Sequence, residues 1–169
     1  VAPGADITSF RIGFGSGPSN QDVTQFQNAL NVDVVNNSWG YGGFFYDDFS
    51  TSTFAPAATA IENLVSDGRG GLGTVITFSA GNSYASGDNV NYHSYQNSPH
   101  TIAVGAIDQD GTIASFSTPG AAVLVSAPGV DIYTTDVTGS GGYSGGDYTS
   151  ISGTSFSSPA VAGVVALML

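Results

Sequence analysis

Three short apolar runs set the frame of this chain: VDVVNN at 32–37, TVITF at 74–78 and TIAVGA at 101–106. Each has the length of a buried strand, and stretches with helical spacing lie before the first and between the first two. That alternation predicts an α/β fold in layers, with a mainly parallel sheet flanked by helices. ITSFRI at 7–12 reads as a further strand, and residues 123–126 as another. One helix is expected over about 20–30, capped by Ser19 or Asn20, with Val23, Phe26, Ala29 and Leu30 on one side. A second is expected over about 56–67, where Pro56 suits a first turn. A Gly- and aromatic-rich loop at 40–49 separates it from the strand before. Residues 108–111 (DQDG) read as a turn, and the Gly/Ser stretch 138–146 as a flexible loop or exposed hairpin. Residues 157–169 are small and apolar on all sides, which suits a helix inside a larger layer.

Composition narrows the function classes. With 169 residues, 41% of them hydrophobic, the chain suits one domain with a real core. No apolar run is long enough to cross a bilayer. The 13 acidic residues face only Arg11 and Arg69, a net charge of −11, so nucleic acid and anionic membranes are poor partners. Solubility, a salty medium or cation binding remain as uses of the acid. Cysteine is absent, which excludes disulfides, thiolate metal sites and a cysteine nucleophile.

Three segments carry chemistry. In GTSFSSP (153–159), Ser155 stands at the entry of the apolar helix, where unpaired N–H groups and the helix dipole favour negative charge. A capping role is the ordinary alternative for such a serine. FSAGN (78–82) ends a strongly apolar strand in small residues and an amide, at the strand edge where α/β proteins bind ligands. Asn82 offers a neutral donor for an oxyanion, or it is a turn residue. VVNNSWG (34–40) ends its strand in a form suited to pairing with an extended peptide, unless Trp39 belongs to the core.

Together these segments resemble the subtilisin family (subtilases) over nearly the whole chain, as VAPGA at 1–5 also does. The resemblance implies a partial three-layer subtilisin-like fold. It implies that residues 1–169 are the C-terminal two-thirds of a catalytic domain, truncated at both ends. It further implies a secreted serine endopeptidase that acts through an acyl-enzyme on Ser155. Asn82 and the Ser155 N–H would bind the oxyanion. Ser38, Trp39, Gly40, Ser79, Ala80, Gly81 and Thr154 would contact an extended peptide substrate.

DNVNYHSYQNS (88–98) and IYTTD (132–136) resemble the kexin-like branch. From it follow calcium ligands at Asp88 and at Asp47 or Asp48, as a structural ion outside the chemistry. Two departures count against a close match. His93 stands where an acid would meet a basic substrate side chain, and Thr118 stands where a calcium-binding glutamate is expected. The resemblance begins after the family's catalytic Asp and His segments, and His93 and His100 are assigned to loops. The isolated chain is therefore expected to be inactive, with the missing N-terminal segment of the same domain as its partner. A non-catalytic relative that binds peptide or calcium, or a fragment acting as an interaction module, is the alternative. GRGGLG (68–73) fits GxGxxG but precedes a strand, so it reads as a turn. Asp108 and Asp110 resemble the opening of an EF-hand loop without its closing glutamate.

Overall fold

The computed structural model describes residues 1–13 and 21–169. Its layers follow from the twofold alternation of β2 (Val75–Ser79). Ile76 and Phe78 enter a core shared with Phe26 of α1 (Gln21–Asn28) and with Ala57, Ala60, Ile61 and Leu64 of α2 (Ala55–Gly71). Thr77 meets the opposite layer, where Ser158 Oγ of α4 (Thr154–Met168) donates to its hydroxyl at 3.1 Å. The small, fully buried Ser157 and Ser158 let α4 lie close under the strands.

The sheet has the order β1-β2-β3-β4, adding β1 (Val34–Asn37), β3 (Ile102–Ile107) and β4 (Val123–Pro128), and all its pairs are parallel. The expected α/β layering is therefore what forms. The α3 turn (Ser94–Asn97) carries Tyr95, whose ring packs against Phe26, Trp39, Tyr41, Phe49 and Phe78. Its hydroxyl donates to the buried Asp22, and burial together with this bond pushes the phenol's pKa up. Beyond the sheet, β5 (Ile132–Thr135) and β6 (Tyr148–Ile151) form an antiparallel hairpin with stacked Tyr133 and Tyr148 rings. The Gly/Ser stretch is the tip of that hairpin.

Helix α2 ends its regular winding at Asp67. Gly68 is extended, and Arg69 and Gly70 have φ of 53° and 66°. GRGGLG is thus the expected turn. Asp108 closes the other expected turn by accepting from the N–H groups of Asp110 and Thr112.

Two expectations are corrected, and one falls outside view. Residues 7–12 form no strand: Ile7 is 90% exposed, and the segment faces β1 across a cavity of about 580 Å3. A strand needs a neighbouring backbone to pair with, and here the cavity separates the two. Helix α4 is not enclosed on all sides: Val164, Leu167 and Met168 are exposed, because only its sheet-facing side is covered. The proposed caps Ser19 and Asn20 lie outside the described residues.

Candidate active site

Because β1 and β2 are parallel, their C-terminal ends open on the same rim, and the start of α4 reaches that rim from below. Ser38, Trp39 and Gly40 leave β1 there, and Ala80, Gly81 and Asn82 leave β2, whose last residue is Ser79. All of them line one cleft of about 290 Å3 together with Thr154 and Ser155. The structure therefore gathers every residue expected to face a peptide.

Asn82 is held by its oxygen. The Thr154 N–H and the Thr154 hydroxyl both donate to Asn82 Oδ1 at 2.9 Å, and the same hydroxyl accepts from the Gly81 N–H at 3.1 Å. Asn82 is exposed, and among the described residues its Nδ2 makes no hydrogen bond. Gly153 leaves room for it, since a Cβ there would lie 3.3 Å from Nδ2. Thr154 itself is fully buried, so its hydroxyl braces Asn82 and is not open to a peptide. The structure thus does not expose Thr154 for the substrate contact expected of it.

Proline explains how α4 is tied to β1. Pro159 has no N–H, so the carbonyl of Ser155 lacks its usual partner four residues on. Ser38 Oγ donates to that carbonyl instead, at 2.9 Å. In return, Ser155 Oγ lies 3.5 Å from the Ser38 carbonyl. Ser155 is half-buried, with its hydroxyl on the cleft side of a helix entry. Neither histidine is hydrogen-bonded to Ser155 among the described residues. His100 borders a separate hollow with Phe49 and Glu62.

The far wall of the cleft holds a buried charge cluster that sequence reading assigned to a loop. His93 is 5% exposed; its Nδ1 lies 3.0 Å from Asp47 Oδ1 and its Nε2 2.9 Å from Asp88 Oδ1. The bond to Asp47 is the main cause that raises the ring's pKa to about 9, assisted by Asp88 and opposed by burial. Asp47 and Asp88 are the two residues expected to hold calcium. Their oxygens do not converge on a common point but sit at opposite edges of one imidazole, and no metal-holding group of three acids, histidines or cysteines occurs among the described residues. The pair as arranged does not fit a calcium ion. Asp48, the alternate ligand, is half-buried and turns back on Ser50, whose backbone N–H lowers its pKa.

Fold and site together define a three-layer α/β protein with a serine at the head of a central helix, facing a braced amide donor across a strand-edge cleft. Comparison with known proteins gives this class its family. The family model described as "Subtilase family" matches residues 1–169, and the chain belongs to that family. It is 36% identical over 199 residues to the "Calcium-dependent protease" of Trichormus variabilis, covering all of this chain and 29% of that protein. It is 35% identical over 176 residues to "Subtilisin DY" of Bacillus licheniformis, covering all of this chain and 56% of the relative. The crystal structure of a cold adapted subtilisin-like serine proteinase superposes with a TM-score of 0.65 at 28% identity, over 92% of this chain and 50% of that one. The chain thus spans 29% and 56% of the length of these two curated relatives.

Proposed function

We propose that this chain supplies the nucleophile and the oxyanion site of a secreted serine endopeptidase. The observation that carries the reading is the shared cleft, in which Ser155 and the braced amide of Asn82 border the same space. In the proposed reaction the Ser155 hydroxyl oxygen attacks the scissile carbonyl carbon. Its proton passes to a base, and the carbonyl oxygen takes the negative charge. Asn82 Nδ2 and the Ser155 N–H donate to that oxyanion. Collapse expels the leaving amine and gives the acyl-enzyme, which water then hydrolyses. An extended peptide would lie between residues 38–40 and 79–81, pairing through its backbone.

A serine hydroxyl without a base is barely activated. No base reaches Ser155 among the described residues, so the chain by itself is proposed to be inactive. The rest of the domain is its proposed partner, and the edge of β1 that has no strand beside it among the described residues is where it would dock. In a subtilisin, loss of the histidine alone lowers kcat by about 10⁶. Some relatives are named calcium-dependent proteases, which makes calcium a candidate structural ion elsewhere in the whole protein. No step here uses one, and Asp47 with Asp88 would not hold it.

The alternative reading is that the cleft binds peptide without cleaving it; the presence of both Ser155 and Asn82 in the cleft argues against it. A fluorophosphonate probe separates the two. In the full-length protein it should label Ser155, and Ser155→Ala should remove both the label and peptide hydrolysis. A folded full-length protein that binds peptide and takes no label would establish the binding-only reading.

A further inference from the structure

The cluster formed by Asp47, His93 and Asp88 is used by none of the steps above, yet two of its members, His93 and Asp88, line the cleft. Asp47 is 1% exposed and His93 5%, and the Asp88 side chain is 14% exposed. Two carboxylates this enclosed need a compensating positive charge. The chain's two arginines do not provide it: Arg69 is paired with Asp33, and Arg11 borders the cavity beside β1.

Hydrogen-bond chemistry places the missing charge. A neutral imidazole has one N–H and one lone pair, so it can donate to only one of two flanking carboxylates. Here both ring nitrogens lie within 3.0 Å of a carboxylate oxygen. The carboxylates already act as acceptors elsewhere: Asp47 Oδ2 takes the Tyr95 N–H at 3.3 Å, and Asp88 Oδ1 takes the Asn89 N–H at 2.8 Å. Each is arranged as an acceptor, which leaves the proton on the ring. The ring also fills the space between the two acids, where a calcium ion would need six to eight oxygens gathered around one point.

We infer that His93, as an imidazolium, is the resident cation of this wall and keeps divalent metal out of it. It joins Asp47 in the aromatic loop to Asp88 at the cleft, as a bound ion would. His93 is thus a positioning residue, acting through the two loops it fastens together.

The test uses the full-length protein and does not depend on peptide cleavage, so its failure is distinct from failure of the protease reading. Nitrogen-15 NMR of the histidine rings at neutral pH is expected to show His93 protonated at both nitrogens. Equilibrium dialysis with calcium is expected to give His93→Asp one bound ion more than the unaltered protein, because the variant replaces the cation by a third carboxylate. Thermal unfolding should show His93→Asp weakened in chelator and restored by calcium, whereas His93→Asn is weakened and not restored. A neutral His93 ring at neutral pH overturns the inference, as does equal calcium stoichiometry in the unaltered protein and His93→Asp. If His93→Asp fails to fold, the ring measurement on the unaltered protein decides alone.

Discussion

Thr154 shows how a buried residue governs an exposed one. Its N–H and hydroxyl fix Asn82 Oδ1, so the orientation of the amide is set from beneath the cleft. If Asn82 serves as proposed, Asn82→Ala should lower kcat by about 10²–10³ with little change in KM, the size of effect when a subtilisin loses one oxyanion donor. Thr154→Val keeps the shape but removes the hydroxyl brace. It should lower kcat by roughly 10-fold, within the range expected when the hydroxyl's bonds to Asn82 and Gly81 are lost, and Thr154→Ser should recover most of it. Steady-state kinetics of the full-length protein would check both. His93 adds a pH dependence whose sign follows from its raised pKa. Its folded value of about 9 lies above the ordinary 6.5. The stability it contributes is complete below about 6.5 and is lost as pH rises through 9. The shift corresponds to about 3 kcal/mol. The thermal midpoint should therefore fall across that interval, and His93→Asn should flatten the slope. The roles proposed for Ser155 and Asn82 were legible from motif and position. The burial of His93 was not, because Asp47 lies 46 residues away and only the folded loops bring the two together.

At the scale of elements, what was legible depended on whether the determinant was local. The runs at 32–37, 74–78 and 101–106 became β1, β2 and β3, and the buried pattern of β2 and β3 shows both of their faces covered. ITSFRI has similar composition, yet it forms no ladder, since pairing is decided by the neighbour and not by the run itself. The hairpin strand β6 (Tyr148–Ile151) went unread for the same reason: YTSI acquires its identity from Ile132 and Tyr133 opposite. The turn after α2 carries a sharper constraint. Gly73 has a φ of 84°, and a Cβ there would lie 2.6 Å from the Val65 carbonyl oxygen. Gly73→Ala should destabilise the fold by about 1–3 kcal/mol, through backbone strain and the clash together. Denaturant unfolding of the full-length protein would measure it.

Across the whole molecule the dominant quantity is charge. A net −11 on 169 residues, with two arginines to offset 13 acids, repels itself in the compact state. Raising sodium chloride from about 0.01 M to 0.15 M shortens the screening distance from about 30 Å to about 8 Å. The thermal midpoint should rise over that range, and an uncharged osmolyte at the same osmolarity should not reproduce the salt-specific part of the rise. Calorimetry at the two ionic strengths would show it. The sequence also contains a single tryptophan, Trp39. Its indole lies edge-on to Tyr41, Phe78 and Tyr95, donates to Asn37 Oδ1 at 3.1 Å, and borders the cleft. Within these 169 residues, ultraviolet emission therefore comes from one fluorophore placed where a peptide would settle. The chain carries its own optical gauge of occupancy, with no dye attached.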